Sequence, residues 1–194
     1  MAFENENFIL TKDNFLNKEE CKYIINLYKK DLVKTPYLSN NNYFYQEIDL
    51  TKFKYIDKIA DLTNSYIKKY PESNMTASCW GLSNLRFKLF KKGDSFSGFH
   101  SEISMKNIYR FLSIIIYLTE HDCGTEFFYN KKTISSKIGR ATIFPAYFTH
   151  THKGQPDFKK ERCIINGYYS FYKQGTNEEE LNVIKSSKWK NIIF

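Results

Sequence analysis

Two segments near the N-terminus place apolar residues at helical spacing, and each has a recognisable boundary signal. A first helix is predicted at about 17–33, where Asn17 and Glu20 have the spacing of a capping box. A second is predicted at about 54–70, where apolar positions recur every three or four residues and Pro71 follows. Both patterns indicate helices with one face packed on a sheet.

The chain after residue 80 changes to the alternation that is typical of strands. In the segment 82–90, the apolar face consists of Leu85, Phe87 and Leu89. The opposite face carries groups that could line a site, namely Asn84, Arg86, Lys88 and Phe90. Further strands are predicted at 110–118, 125–129, 133–136, 140–145, 149–153 and 162–172. Two helices before so many strands favour helices on one side of an antiparallel sandwich or barrel.

The remaining segments complete a single-domain organisation. Residues 8–15 are expected to form a short strand and a turn, residues 35–49 a loop, and residues 176–194 a C-terminal helix or tail. A length of 194 residues fits one domain. We therefore predict one domain over 1–194, with helical support at 1–80, a β core at 82–172 and the C-terminal helix or tail at 176–194.

Composition and charge narrow the class of protein. A hydrophobic content of 42% and an aromatic content of 18% exclude a disordered chain. The net charge of +8 would suit a nucleic-acid partner, but most of the basic residues are lysines scattered along the chain rather than arranged in a stripe. A solvated basic surface is therefore favoured over a nucleic-acid groove.

Cysteine spacing and hydropathy bear on the compartment. The four cysteines form no CxxC pair and no disulfide framework, which is typical of free thiols in a reducing cytoplasm. No secretory signal pattern is visible at the N-terminus, and no apolar run reaches the ~18 residues of a membrane span. We expect a cytoplasmic protein without a membrane partner.

Candidate metal ligands occur at two separated places in the chain. On an extended segment, residues i and i+2 point to the same side, so His100 and Glu102 can face one point in space. A third ligand would come from a distant strand, where His150 and His152 are both available. Two histidines and a carboxylate leave open positions on an octahedral Fe(II) ion, where a 2-oxo acid and O₂ can bind.

Several short motifs follow one another between residues 85 and 172. They are Phe90-x-x-Gly93, His100-x-Glu102, Arg110-x-x-Ser113-x-x-x-Tyr117-Leu118, Gly124-Thr125-Glu126-Phe127, Gly139-x-Ala141-x-x-Phe144-Pro145, Thr149-His150-Thr151-His152 and, after Pro156, Arg162-x-x-x-Asn166 with Tyr168. This series resembles the prolyl-4-hydroxylase-like branch of the Fe(II)/2-oxoglutarate dioxygenases, in the form of its small phage and bacterial members. The resemblance implies a mainly β fold, with N-terminal helices and a double-stranded β-helix (jelly-roll) core.

The resemblance also implies a role for individual residues. The implied iron ligands are His100, Glu102 and His152. The implied cosubstrate-binding residues are Arg162 as the partner of the distal carboxylate of 2-oxoglutarate, Tyr117 as a second donor to it, and Asn166 and Ser113 as small polar groups of the same pocket. A guanidinium suits this role because it pairs bidentately with a carboxylate and stays charged.

The choice between the two later histidines follows from spacing. His152 is preferred because Pro156 and Arg162 follow it at the distances that the family's ligand requires, and His150 is expected on the same strand face as a supporting residue. The chain departs from the family at Glu102, where Asp is commoner. It departs again at Phe90, where eukaryotic prolyl hydroxylases carry a cosubstrate-binding Tyr.

The activity implied is oxidative decarboxylation of 2-oxoglutarate to succinate and CO₂, coupled to hydroxylation of an unactivated C–H bond. The cofactors implied are Fe(II), 2-oxoglutarate and O₂, with ascorbate as an optional reductant. The expected substrate is a prolyl or other amino-acid side chain of a protein or peptide, or a small metabolite. Two alternatives remain open: a nucleic-acid-directed oxygenase of the same superfamily, and a non-catalytic jelly-roll binding module. The sequence does not predict the oligomeric state.

Overall fold

The computed structural model describes residues 7–30, 32–34, 43–75 and 80–172. Within these ranges the chain forms two α-helices, α1 (Lys18–Tyr28) and α2 (Ile56–Lys69), two short 3₁₀ helices (Pro71–Asn74 and Phe148–His150) and ten strands. The strands are β1 (Leu10–Lys12), β2 (Val33–Lys34), β3 (Phe44–Ile48), β4 (Trp80–Phe90), β5 (Arg110–Tyr117), β6 (Gly124–Phe127), β7 (Lys132–Ser135), β8 (Ala141–Pro145), β9 (His152–Gly154) and β10 (Arg162–Phe171). The predicted C-terminal helix or tail at 176–194 lies outside the described residues, as do residues 35–42 of the predicted loop.

The strands form two antiparallel sheets. The larger sheet has the order β1-β8-β5-β10-β4-β3-β2, and the smaller has the order β7-β6-β9. In the larger sheet, Ile164 of β10 pairs with Lys88 of β4 on one side and with Tyr117 of β5 on the other. Side chains of directly paired residues lie on the same face of a sheet, so this register places Lys88, Ile164 and Tyr117 side by side across its centre.

The two faces of the larger sheet have different partners. Ile114 and Ile116 of β5 belong to a core cluster with Ile24 of α1 and Ile59 of α2, so the helices cover one face. The other face turns toward the smaller sheet, and its apolar cluster consists of Ile9, Phe90, Ile115, Tyr117, Phe127, Ile134, Phe144 and Ile164. A strand buried on both faces has a nearly continuous apolar sequence, and β5 is buried from Leu112 to Tyr117 and apolar there apart from Ser113 and the terminal Tyr117. The predicted fold class, mainly β with two N-terminal helices beside a jelly-roll core, is confirmed.

The helix starts agree with the sequence prediction better than the helix ends. Asn17 caps α1: its side chain accepts a hydrogen bond from the backbone N–H of Glu20, and the Glu20 carboxylate accepts one from the backbone N–H of Asn17, both at 2.8 Å. The prediction that α1 continues to residue 33 was wrong, because α1 ends at Tyr28 and the chain at Val33–Lys34 pairs with β3 instead.

Two further predictions of local structure were wrong. Residues 44–48, expected in a loop, form β3, because their backbone pairs with the edge of β4 from Leu85 to Leu89. The strand expected at 149–153 begins only at His152, since residues 148–150 turn into a 3₁₀ helix whose carbonyl at Phe148 accepts the backbone N–H of Thr151.

None of the helices in the described ranges combines the length and the apolar character that a bilayer crossing requires.

Gly139, just before β8, is expected to be sensitive to substitution. Its φ is +74°, and a Cβ added there would lie 1.9 Å from the carbonyl oxygen of Leu16. We expect Gly139→Ala to lower the free energy of unfolding by about 2–3 kcal/mol, measured by urea denaturation. Gly98→Ala is the control, because a Cβ there meets no atom within 4 Å, and it should change the value by less than about 0.5 kcal/mol. Similar effects of the two substitutions would contradict this account of the turn.

Candidate metal centre

Backbone hydrogen bonds bring two distant segments together at the candidate ligands. His100 and His152 form an isolated antiparallel bridge, in which each backbone N–H donates to the other residue's carbonyl at 2.9 Å. The backbone N–H of Glu102 donates to the carbonyl of Ala146 at 3.0 Å, which continues the attachment. Facing residues of an antiparallel pair project to the same side, and so does the residue two positions on. The backbone therefore directs all three side chains to one place.

The ligand atoms of these side chains converge. The Oε1 atom of Glu102 lies 3.4 Å from Nε2 of His152 and 3.9 Å from Nε2 of His100. All three ligand atoms lie within 4.8 Å of one another. An octahedral ion bound at roughly 2.1 Å holds adjacent ligand atoms roughly 3 Å apart. The arrangement needs only a small contraction to enclose a divalent cation.

The other ring nitrogen of each histidine is fixed by a carbonyl group. Nδ1 of His100 lies 2.9 Å from the carbonyl oxygen of Gly98, and Nδ1 of His152 lies 2.9 Å from that of His150. A carbonyl only accepts hydrogen bonds, so both Nδ1 atoms carry the proton. The lone pair of a neutral ring is then on Nε2, which faces the centre. This is the orientation in which histidines bind metals.

Burial and charge set the protonation states that a cation requires. Burial alone would raise the pKa of Glu102, but the hydrogen bond and charge of His152, together with the charges of His100 and Lys88, lower this pKa to about 2. Burial lowers the pKa of His100 to about 4, and the nearby His152 acts in the same direction. Near pH 7 the centre therefore offers an ionised carboxylate and a neutral imidazole, the forms that bind a divalent metal.

Two residues outside the ligand set hold Glu102 in place. Nη1 of Arg110 donates to the backbone carbonyl of Glu102 at 3.1 Å and lies 3.4 Å from its Oε2. The guanidinium carbon of Arg110 is 3.4 Å from the centroid of the Tyr168 ring. Oε1 is thus left facing the histidines. Sequence reasoning assigned no role to Arg110 or Tyr168, although both belong to the motif series.

The ligand set opens into a cavity of about 310 Å³ on the inner face of the larger sheet. Arg162 lines this cavity beside Phe90, and its guanidinium lies 4.6 Å from the ring centroid. The Arg162 side chain is 4% exposed, and its Nη1 donates to the carbonyl of Gln155 at 2.8 Å. Tyr117, which also lines the cavity, donates from its hydroxyl to Oγ1 of Thr125 at 2.7 Å.

The remaining predicted residues lie further along the same wall. Asn166 lines the cavity, and its Oδ1 accepts a hydrogen bond from Nζ of Lys88 at 2.8 Å. Ser113 is fully buried behind it, with its hydroxyl 3.3 Å from the carbonyl of Gly167. The three predicted metal ligands line one cavity together with Arg162, Tyr117 and Asn166. Ser113 lies outside the lining of this cavity. Lys88 also lines the cavity. The sequence placed it on the polar face of its strand but indicated no particular role for it.

His150 does not share a face with His152, and the expectation that it does was wrong. Its Nε2 donates to the carbonyl of Asn7 at 2.8 Å, and its Nδ1 lies 2.9 Å from Oγ1 of Thr149. The 3₁₀ turn at residues 148–150 changes the side-chain direction, so the ring packs toward the N-terminal segment. The backbone carbonyl of His150 supports the centre through Nδ1 of His152, and the His150 ring packs against that of Phe127.

A second group of possible ligand atoms, in His121, Cys123 and Asp157, already has partners within the protein. The two nitrogens of His121 meet Oδ2 of Asp157 and Oγ1 of Thr119. Oδ1 of Asp157 accepts the backbone N–H groups of Lys159 and Lys160. We interpret this group as a clamp on the loop that precedes β10.

Comparison with known proteins establishes the fold. No family model matches the sequence, and no curated protein matches it either. A viral collagen prolyl hydroxylase from Paramecium Bursaria Chlorella virus-1, solved with 2-oxoglutarate, superposes with a TM-score of 0.65 at 20% identity, over 84% of this chain and 95% of that one. A prolyl-4-hydroxylase from Pseudomonas putida gives a TM-score of 0.64 at 16% identity, over 84% and 91%.

A third solved structure covers more of the chain. The prolyl hydroxylase of Trichoplax adhaerens, in complex with a hypoxia inducible factor peptide fragment, gives a TM-score of 0.64 at 17% identity, over 95% of this chain and 89% of that one. At these identities the likeness shows a common fold. The chain therefore has the fold of the Fe(II)/2-oxoglutarate oxygenases, as the motif series implied.

Metal titration of the apoprotein tests the ligand assignment. We expect one Co(II) or Ni(II) ion to bind, measured by isothermal titration calorimetry. Because each supplies a ligand atom, His100→Ala, Glu102→Ala and His152→Ala should each weaken binding at least ~100-fold. His150→Ala is the matched control, since its ring faces Asn7, and it should retain the site. Loss of binding in His150→Ala with retention in His152→Ala would reverse the assignment.

Proposed function

We propose that the protein is an Fe(II)- and 2-oxoglutarate-dependent dioxygenase that hydroxylates an unactivated C–H bond. The observation that carries this proposal is that one cavity contains two groups of different chemistry. The first is the set of convergent Nε2 atoms of His100 and His152 with the carboxylate of Glu102, and the second is the buried guanidinium of Arg162. A metal-chelating dicarboxylate matches both features.

The donor set fits Fe(II). Neutral imidazoles and a carboxylate on one face of an octahedral ion leave three adjacent positions for a bidentate 2-oxo acid and O₂. Bound Fe(II) would supply the redox chemistry that converts 2-oxoglutarate and O₂ to succinate and CO₂ while one oxygen atom enters the substrate. The protein's own contribution is to orient the ligands and the cosubstrate and to restrict water.

Arg162 would bind the distal carboxylate of 2-oxoglutarate. Its guanidinium is buried, and one nitrogen is already held by the Gln155 carbonyl, so its position is fixed before the cosubstrate arrives. Tyr117 would be the second donor, turning its hydroxyl from Thr125 toward the carboxylate. Asn166 supplies an amide on the same wall, and Ser113 supports it from behind.

Apolar rings enclose the metal end. The Phe96 ring lies 4.0 Å from that of His100, and the rings of Phe127 and Phe144 lie 5.5 and 4.9 Å from that of His152. Packed rings on these sides fix the imidazole planes and limit access of solvent to the centre. Both effects favour coupling of cosubstrate oxidation to hydroxylation.

The substrate proposed is an amino-acid side chain, of proline first, in a protein, a peptide or a small metabolite. Two of the compared structures are called prolyl-4-hydroxylase or collagen prolyl hydroxylase, and a third was solved with a peptide. Beside His100, Phe99 and Phe128 are 40% and 54% exposed, with their ring centroids 5.0 Å apart. Exposed aromatic rings next to a cavity suit contact with a peptide.

Turnover of 2-oxoglutarate tests the proposed function. With Fe(II) and ascorbate we expect succinate to form slowly even without a primary substrate, and His100→Ala should abolish it because a metal ligand is lost. Succinate is measured by chromatography or mass spectrometry. Undiminished turnover in His100→Ala would contradict the proposed site.

Cosubstrate binding has its own test. Arg162→Ala removes charged hydrogen bonds to a carboxylate, so the KM for 2-oxoglutarate should rise about 10–100-fold. Arg140→Ala is the matched control, because its guanidinium pairs with Asp13 outside the cavity lining, and its KM should stay at the wild-type value. The assignment fails if the two variants have the same KM.

A further inference from the structure

Lys88 is a cationic side chain inside the cavity, and among the described residues it has one hydrogen-bond partner. It is 7% exposed and lines the cavity from β4, between Arg86 and Phe90. Its Nζ donates to Oδ1 of Asn166 at 2.8 Å and lies 4.8 Å from the centroid of the Tyr43 ring. An ammonium group has three N–H donors, so these neighbours leave donor capacity directed into the cavity.

The other cations of the cavity have anions assigned to them. Arg86 pairs with Glu47, and Arg110 lies against Glu102. Under the proposed function Arg162 takes the distal carboxylate of 2-oxoglutarate, and the metal takes the other. None of the ion pairs among the described residues includes Lys88.

Glu102 acts on Lys88 through its charge, but no carboxylate of the described residues pairs with Lys88 directly. A buried charge without a direct counter-ion is costly, so the position calls for an explanation. Burial lowers the pKa of Lys88 to about 8, so the amine still carries a proton at pH 7. Its amide partner Asn166 is neutral and orients the ammonium without neutralising it. An anion that enters the cavity could pair with the ammonium directly.

We propose that Lys88 binds a carboxylate of the molecule that is hydroxylated, so that the primary substrate is of the amino-acid type and carries a carboxylate near the reacting carbon. This inference rests on the proposed function and names the substrate class for the same cavity. The cavity of about 310 Å³ is at the small end of ligand pockets, which suits a cosubstrate and a group of side-chain size. The alternative is that Lys88 binds 2-oxoglutarate itself, by contacting the carboxylate at the metal-binding end of that molecule.

The experiment uses Ni(II)-loaded protein saturated with 2-oxoglutarate, which binds substrate without turnover. The probes are N-acetyl amino acids, including N-acetylproline, each paired with its carboxamide, and binding is followed by ligand-observed NMR. We expect at least one carboxylate probe to bind at least tenfold more tightly than its carboxamide. Lys88→Met, of similar length and without charge, should remove this preference. Lys92→Met, an exposed lysine in the turn after β4, is the matched control and should retain it.

A second variant guards against misfolding of the first. Lys88→Arg keeps a positive charge at the same position of β4, so it should retain the preference for carboxylate probes that Lys88→Met loses. Loss of the preference in both variants would mean that packing rather than charge is responsible, and would overturn the proposal. Circular dichroism and thermal unfolding establish that each variant is folded.

The affinity for 2-oxoglutarate, measured separately by calorimetry, distinguishes the two sources of carboxylate. An affinity for 2-oxoglutarate in Lys88→Met within about threefold of wild type, together with the lost preference, supports the proposal. A fall in this affinity with the probe preference unchanged assigns Lys88 to the cosubstrate and overturns it. Equal binding of carboxylates and carboxamides, or binding of neither by wild type, also overturns it. Absence of metal or 2-oxoglutarate binding in wild type would instead refute the proposed function itself.

Discussion

The pair of backbone hydrogen bonds between His100 and His152 is the constraint on which the site depends. The two residues are far apart in the chain, and their side chains meet because each backbone N–H donates to the other carbonyl at 2.9 Å. Side chains alone would not hold the three ligand atoms together, since burying Glu102 and His152 away from water costs free energy before a metal binds. The backbone bridge fixes where the His100 and His152 side chains point. The Glu102 side chain points the same way as that of His100, because side-chain direction repeats every two residues in an extended chain.

The division of the larger sheet into two faces explains why a polar cavity can exist in so small a core. The helices cover one face with aliphatic residues and provide the main hydrophobic core. The inner face is therefore free to carry charged groups, among them Arg162 and Lys88, between flanking aromatic rings. Under the proposed function, both buried cations would meet carboxylate ligands rather than water.

Sequence patterns predicted those features that depend on local periodicity or on fixed spacing. The capping box at Asn17 and the alternation along β4 are local, and the ligand pair at His100 and Glu102 needs only an extended backbone. The end of α1 and the strand β3 were missed because they depend on pairing with distant segments. The direction of His150 depends on one 3₁₀ turn, and the burial of Lys88 depends on tertiary packing, since a lysine in a sequence is usually a surface residue.

A crystal structure of the protein with Mn(II) and 2-oxoglutarate, grown without O₂, tests the central claim most directly. The account predicts one ion bonded to Nε2 of His100, Nε2 of His152 and the carboxylate of Glu102, chelated by the 2-oxo acid, with the distal carboxylate on Arg162. An ion bound instead at His121, Cys123 and Asp157, or a 2-oxoglutarate molecule that leaves Arg162 without a contact, would contradict it.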